Sequence, residues 1–300
     1  MALAKAAEQT PRRPVWGDVS DLIALLDVRS RSEGRFISTP RDADSDHRGV
    51  VEGSQMLAQS IVAASRHTQG RRVVHASMVF MRAAGTGEPL ELELEELSGG
   101  RSFTTLAPRV RQGDRTCASG IMLLDATAPD VMRHAVPKPV TASVDASPPF
   151  DMGVTGREIR FVDGAYTGDP EAPAGPPVIE AWVRYRDVPE DPAIHAALLA
   201  HFTGHVSIAA AMRPHAGIGQ AQAHRTLSTA INAIHLAFHA DVRADRWTLY
   251  RHHSTFAGDG MTHSECRVHA EGGELLASFS VDAMVRGFPK KQTPGGRGAL

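Results

Sequence analysis

The longest apolar stretch of the chain occupies residues 52–70. Small or hydrophobic side chains cover most of its circumference at helical spacing, and they include Met56, Leu57, Ile61 and Val62. A helix that is apolar on nearly all sides has to be buried. The pattern therefore predicts a long helix in the centre of a core.

The second half of the chain repeats this pattern. The sequence from Ser60 to Gly70 is echoed by the sequence from Ser207 to Gly217. The helix predicted around the second copy covers residues 191–212, because Asp191 followed by proline is a favourable helix start. Two similar helices in one chain predict a duplicated architecture.

Strand patterns follow each of the two helices. They lie at residues 73–81, 90–94, 103–111 and 116–124 in the first half, and at 231–238, 247–252, 264–269 and 275–285 in the second. Further strands at 35–39, 157–161 and 178–188 and a short helix at 19–28 are also predicted. The strands can bury each helix by forming a curved sheet around it. We therefore predict an α+β fold in which each half wraps an antiparallel sheet around a long central helix.

The division of the chain follows from these patterns. Residues 16–125 are predicted to form the first domain and residues 153–286 the second, joined by a linker at 126–152 that is rich in Pro, Ala, Ser and Val without periodicity. The lead at 1–15 and the basic, Gly- and Pro-containing tail at 287–300 have no core residues, so both are expected to be disordered.

Composition narrows the classes of function. The formal net charge is −2, so no global field favours nucleic acid or an anionic membrane as a partner. The two cysteines do not form a Cys-x-x-Cys pair, which disfavours a structural zinc site. The sequence contains no run of 18 apolar residues, so it predicts no membrane span, and the N-terminal residues lack the pattern of a signal peptide. We expect a cytoplasmic protein that binds neither nucleic acid nor membrane.

The order and the amino-acid sequences of these segments resemble those of the type II acyl-CoA thioesterases, which contain two fused hotdog domains. The resemblance covers residues 19–286. In the first half it rests on the segments at 51–59, 74–75, 80–82 and 100–103, and in the second half on those at 157–160, 182–184, 194–195, 213–215, 238–239 and 247–250. The family has Gly-Gly-Gln at the start of the first helix, where this chain has Glu52-Gly-Ser-Gln55.

The resemblance implies an enzyme of lipid metabolism that hydrolyses fatty acyl-CoA to free fatty acid and CoA without a cofactor or metal. It also implies a homo-oligomer, because hotdog sheets commonly continue across subunits in such families. The positions that it assigns to substrate binding are Gly53, Gln55, His75, Arg82 and Gly204.

The family holds its attacking water with an Asp in the second helix, a Thr in the following strand region and a Gln in the last strand. These positions fall on Gly204, near Ile231 and on Val281. At least two of the three polar groups are therefore replaced.

Two interpretations of this departure remain open. In the first, His205 acts as the base, and Asp282 or the hydroxyls of Ser228 and Thr229 act as its partners. Each of these residues is close in sequence to one of the three positions. An imidazole has an ordinary pKa near 6.5 and can serve as a base at neutral pH. In the second, the site is inactive, and the protein binds acyl-CoA or a related ligand without hydrolysis.

Three further features carry alternative interpretations. His201 and His205 have the i, i+4 spacing of a metal-binding pair, but no third ligand is evident at a suitable spacing, so no metal is expected. Glu52 could replace the catalytic base, although a surface glutamate stabilised by the helix dipole is the simpler interpretation. The pair Asp46-His47 has the composition of a hydratase site but lies in a charged loop.

Overall fold

A computed structural model describes residues 14–41 and 49–288. Most of the lead at 1–15 and of the tail at 287–300, which were predicted to be disordered, lies outside these ranges, as does the Asp46-His47 pair, whereas Gly287 belongs to the last strand. The first half contains α1 (Val19–Leu26), β1 (Val28–Ser32), β2 (Arg35–Ser38), α2 (Gly53–His67), β3 (Arg72–Phe80), β4 (Glu91–Gly99), β5 (Phe103–Gln112) and β6 (Arg115–Asp125). The second half contains β7 (Pro149–Phe150), β8 (Arg157–Phe161), β9 (Val178–Tyr185), α3 (Pro192–Phe202), α4 (Ser207–Met212), β10 (Leu227–Phe238), β11 (Thr248–Gly258), β12 (Met261–Ala270) and β13 (Leu275–Gly287).

The strands of the described residues form one antiparallel sheet that spans both halves. Its order is β1-β2-β4-β5-β6-β3-β10-β13-β12-β11-β9-β8-β7. The seam between the halves is the pairing of β3 with β10, which runs from Ala233 opposite Val79 to Ala237 opposite His75. Each half therefore covers one sheet edge of the other, and a strand edge left unpaired would be open to association with other chains.

The helix α2 is buried as its pattern predicts. Every side chain from Ser54 to Ala64 is buried, and Leu57 and Ile61 have no exposed surface. Burying a side chain of that size contributes about 1.5–3 kcal/mol, so α2 stabilises the first half mainly through its packing. The helix is capped by Thr68, whose hydroxyl donates to the carbonyl of Ala64 at 2.8 Å.

The predicted second helix is wrong in one respect, because it is interrupted. The segment from 203 to 206 separates α3 from α4, and in it the amide of His205 donates to the carbonyl of Phe202 at 3.2 Å, as in a turn. The hydroxyl of Thr203 also donates to the carbonyl of Ala200 at 2.6 Å. Glycine is a poor helix former, so Gly204 helps to place the break. The stretch Pro192–Met212 has the length and composition of a membrane span, but 72% of its most apolar window is buried inside the fold, as in a core helix.

Most predicted strands are present, and their ends differ. The strand β10 begins at Leu227, four residues before the predicted start, and β11 continues to Gly258. The strand β1 was not predicted because four of its five side chains are exposed, so it lacks an apolar pattern. The strand β7 lies inside the predicted linker and pairs with β8, so the end of the linker belongs to the sheet of the second half.

Candidate functional site

The N-terminus of α2 meets the break between α3 and α4. Glu52 precedes α2 in an extended conformation, and its side chain makes no capping hydrogen bond. Its Oε2 instead lies 3.5 Å from Nε2 of His201 and 3.7 Å from Nε2 of His205, with the Glu52 side chain 24% exposed. Glu52 does stand at the N-terminus of α2, as the simpler interpretation has it, but it is only partly exposed and its carboxylate also faces two imidazoles. The first half supplies a carboxylate, and the second half supplies two imidazoles.

His201 is the buried member of this cluster. Its side chain has no exposed surface, and neither ring nitrogen has a hydrogen-bond partner within the described residues. Burial, and then the neighbouring His205, lower the pKa of His201 well below its ordinary value of 6.5. His201 is therefore a neutral imidazole at neutral pH. Its ring centroid lies 5.0 Å from that of His205.

His205 is oriented from two sides. Its ring stacks on Phe202 with centroids 5.0 Å apart, and its side chain is only 7% exposed. The Nη1 group of Arg157, at the start of β8, lies 3.2 Å from Nε2 of His205. Arg157 can only donate, so Nε2 is the acceptor nitrogen of a neutral ring. A second nitrogen of Arg157 donates to the carbonyl of Met152 at 3.2 Å, which fixes the guanidinium.

Gly204 lies beside this cluster, at the position where the resemblance places an acid. A Cβ added to Gly204 would lie 2.6 Å from Oγ of Ser54 and 3.1 Å from Cδ1 of Ile231. Gly204 and Ile231, two of the three positions indicated by the resemblance, therefore lie in contact, and the third, Val281, is buried in the core. None of the three carries a polar side chain. The Ser54 hydroxyl is buried and has no hydrogen-bond partner in the described part of the chain.

Two family models match the chain in sequence. Residues 42–124 match the acyl-CoA thioesterase N-terminal domain, and residues 132–284 match the acyl-CoA thioesterase C-terminal domain. The chain belongs to the acyl-CoA thioesterase family. The resemblance is thereby confirmed at the level of the family.

Solved structures confirm the fold of this thioesterase family member. Acyl-CoA thioesterase II TesB2 from Mycobacterium marinum is 23% identical, with a TM-score of 0.75 over 90% of this chain and 99% of the other. The tesB protein of Mycobacterium avium subs paratuberculosis is 20% identical, with a TM-score of 0.74 over 89% and 99%. A conserved protein with a hot dog fold from Alicyclobacillus acidocaldarius is 15% identical, with a TM-score of 0.69 over 88% and 97%. No curated protein matches the chain in sequence.

The structure places Ser228 and Thr229 at the start of β10. Thr229 is buried and lies two residues before Ile231, so the two side chains share the face of the strand that looks toward Gly204. The Thr229 hydroxyl contacts Nε2 of His224 at 3.3 Å. Ser228 alternates to the opposite face. Thr229 is thus the hydroxyl nearer to the site.

Asp282 lies on the outer face of the sheet. Its neighbours Val281 and Ala283 point into the core, so its own side chain points away from the helices. Its Oδ1 bonds to Nδ1 of His263 at 2.7 Å, and its Oδ2 lies 3.7 Å from Nε2 of His235. The structure does not bring Asp282 to the inner face that holds His205.

The predicted substrate-binding residues divide into two groups. Gly53 and Gln55 lie in the first turn of α2, next to Glu52, and a Cβ on Gly53 would lie 2.9 Å from the ring of Phe80. His75 alternates with the core residue Ala76 and so faces outward from β3, and Arg82 is exposed beyond the end of that strand. His75 and Arg82 therefore lie apart from the cluster.

Sequence reasoning missed the roles of Ser54 and Arg157. Ser54 carried no signal, because a serine in a helix made of small residues is unremarkable. Arg157 is one of many arginines in the chain and reaches His205 only through the position of β8. The spacing of His201 and His205 and the position of Glu52 were visible, but their contact depends on how α2 packs against α3.

Proposed function

We propose that this protein hydrolyses acyl-CoA thioesters, and that Glu52 and His205 hold and deprotonate the attacking water. The observation that supports this proposal is the meeting of one carboxylate and two neutral imidazoles beside Gly204, where the family resemblance expects its acid. In this proposal the site lies at the contact between the two halves instead of within the second helix. The family of the chain supplies the substrate class.

The chemistry requires a base and a site for developing negative charge. The Glu52 carboxylate accepts one proton from water, whose oxygen forms a bond to the thioester carbon. The C–S bond then breaks, and the proton passes to the departing sulfur, which gives a carboxylic acid and free CoA. The guanidinium of Arg157 and the positive end of the α2 dipole both favour negative charge on the thioester oxygen.

His201 assists this chemistry by staying neutral. Its pKa is lowered well below 6.5, so it does not form a persistent ion pair that would neutralise the Glu52 carboxylate. Its burial also keeps water away from one side of the carboxylate. A carboxylate in contact with less water is a stronger electrostatic partner for a positioned proton.

The second candidate function is binding of acyl-CoA without hydrolysis. The observation that favours it is the absence of a polar side chain at positions 204 and 281, two of the three positions where the resemblance places one. A protein that keeps the fold but lacks these groups could retain the acyl slot and the CoA contacts of the family. The two functions predict different results in the same assay.

The test is the release of free thiol from acyl-CoA esters of short to long chain length. We expect turnover with at least one chain length, and we expect Glu52→Gln to lower kcat by about 100-fold or more, the usual contribution of a positioned base. The matched control is Glu95→Gln, which removes an exposed carboxylate from β4 and should leave kcat unchanged. Saturable binding of acyl-CoA without turnover at any chain length would establish the binding function, and a fully active Glu52→Gln variant would exclude Glu52 as the base.

A further inference from the structure

The donor atoms of Glu52, His201 and His205 have the spacing of a metal site. One ligand atom from each residue lies within 4.8 Å of the other two, in the one such group among the described residues. The Glu52 oxygen lies 3.5 Å and 3.7 Å from the two imidazole nitrogens. A tetrahedral zinc ion with bonds of about 2.0–2.1 Å holds its ligand atoms about 3.3–3.4 Å apart. Two of the three separations thus need to shorten by only a few tenths of an ångström.

His201 provides an independent indication of a ligand. It is fully buried, and its two ring nitrogens have no hydrogen-bond partner within the described ranges. A buried polar group without a partner destabilises the fold, so such a group indicates a missing ligand. A metal ion bound at Nε2 would satisfy that atom.

The composition of the cluster selects the class of ion. Two imidazoles and one carboxylate are a common set of protein ligands for catalytic zinc, with a fourth position left for water. Calcium and magnesium prefer oxygen ligands throughout, so two nitrogen donors disfavour them. The residue spacing also fits, because His201 and His205 come from one segment and Glu52 reaches them from the other half.

The positive charge of Arg157 repels a bound cation and therefore lowers the affinity of the site for it. Its guanidinium lies 3.2 Å from Nε2 of His205, the atom that would bind the metal. The guanidinium also lies 6.0 Å from the ring of Trp16, an aromatic face that can accept it. Metal binding thus requires the guanidinium to leave Nε2 while it stays close to Trp16.

We propose that Glu52, His201 and His205 bind one divalent transition-metal ion of the zinc class, with a water molecule as the fourth ligand. The proposal rests on the proposed function, since the site is the same. A bound ion would lower the pKa of its water molecule, and Glu52 would then act as a ligand of the ion instead of as the base of the metal-free reaction. The oxygen of that water forms the bond to the thioester carbon, the C–S bond breaks, and the departing sulfur takes a proton.

The test is a titration of the full-length protein with Co²⁺ after removal of metals by a chelator. Tetrahedral Co²⁺ absorbs visible light strongly, and we expect one equivalent to bind and Zn²⁺ to displace it. Glu52→Gln, His201→Asn and His205→Asn should each weaken binding by about tenfold or more, whereas Arg157→Gln should tighten it by roughly tenfold because a nearby positive charge is removed. His215→Asn and His253→Asn, which change exposed histidines, are the matched controls.

The outcomes separate this inference from the proposed function. Absorption no stronger than that of free Co²⁺, or binding that survives both Glu52→Gln and His201→Asn, would overturn the metal site. Thiol release is measured in parallel on the chelator-treated protein, with and without Zn²⁺. Hydrolysis that is unaffected by the chelator and abolished by Glu52→Gln would overturn the metal inference and leave the proposed function intact. If His201→Asn does not fold, the stoichiometry of the wild-type protein and the isosteric Glu52→Gln variant still decide the question.

Discussion

The contact of Gly204 with Ser54 allows a sharp test of how the site is packed. Gly204 has no positive φ, so alanine at this position introduces no backbone strain. The new Cβ would lie 2.6 Å from Oγ and 2.9 Å from Cβ of Ser54, so rotation of the Ser54 hydroxyl cannot relieve the overlap. Overpacking of this kind costs about 1–3 kcal/mol. We expect Gly204→Ala to lower the free energy of unfolding by that amount.

A double-mutant cycle isolates the contact. Ser54→Gly removes both overlapping atoms and leaves only Cδ1 of Ile231, at 3.1 Å, which is the flexible end of a side chain. In the Ser54→Gly background we therefore expect Gly204→Ala to cost little, which gives a coupling energy of about 1 kcal/mol or more. The free energies come from urea unfolding of the four proteins.

The control is Gly168→Ala, because a Cβ on Gly168 meets nothing within 4 Å. Its expected effect is within about 0.5 kcal/mol, as for a surface substitution. Two results would contradict the reasoning: a cost of Gly204→Ala below about 0.5 kcal/mol, or a cycle that is additive within the same limit. If the coupling is found, an acid cannot be restored at Gly204 without a second change at Ser54.

Three other predictions concern stability. Burial lowers the pKa of His252 to about 3, so between pH 6.5 and 3 the unfolded chain binds a proton that the folded one does not. Acidification from pH 7.5 to 5.0 should thus cost about 2 kcal/mol through this residue, and urea unfolding of His252→Phe should lose that part of the pH dependence. Asp282→Asn should change unfolding by about 0–1 kcal/mol and leave thiol release unchanged, because its bond to His263 is partly exposed and on the outer face. Gly53→Ala should cost about 1–3 kcal/mol through its 2.9 Å approach to Phe80, and denaturant unfolding with Phe80→Leu as a companion variant checks it.

The fold could be predicted because its pattern of a helix followed by strands occurs twice in the sequence. The pattern of α2 recurs in the second half, and one repeated helix followed by strands in the same order leaves few arrangements. The interruption at 203–206 could not be predicted with the same ease. A single glycine costs a helix only about 1 kcal/mol, so Gly204 within an apolar stretch does not by itself indicate a break.

The site was harder to predict because its parts are distant in the sequence. The spacing of His201 and His205 suggested a pair, but its carboxylate partner Glu52 comes from the other half and is brought there by helix packing. Asp282 illustrates the opposite problem. It is close in sequence to the position of a lost polar group, but on a strand a shift of one residue turns the side chain to the other face.

The seam between the halves contributes to the geometry of this site, together with the packing of α2 against α3. Phe80 of β3 packs against Gly53, which precedes Ser54 in α2 and follows Glu52, so β3 positions the carboxylate. Ile231 of β10 packs against Gly204, next to His205, so β10 positions the imidazole.

Because β3 and β10 are hydrogen-bonded neighbours, their register contributes to the distance between the carboxylate and the imidazole. A slip of one residue moves a strand by about 3.3 Å, which is enough to separate groups that now lie 3.7 Å apart. Glu52 comes from the first half, and His201 and His205 come from the second, so the site exists only when the two halves are packed together.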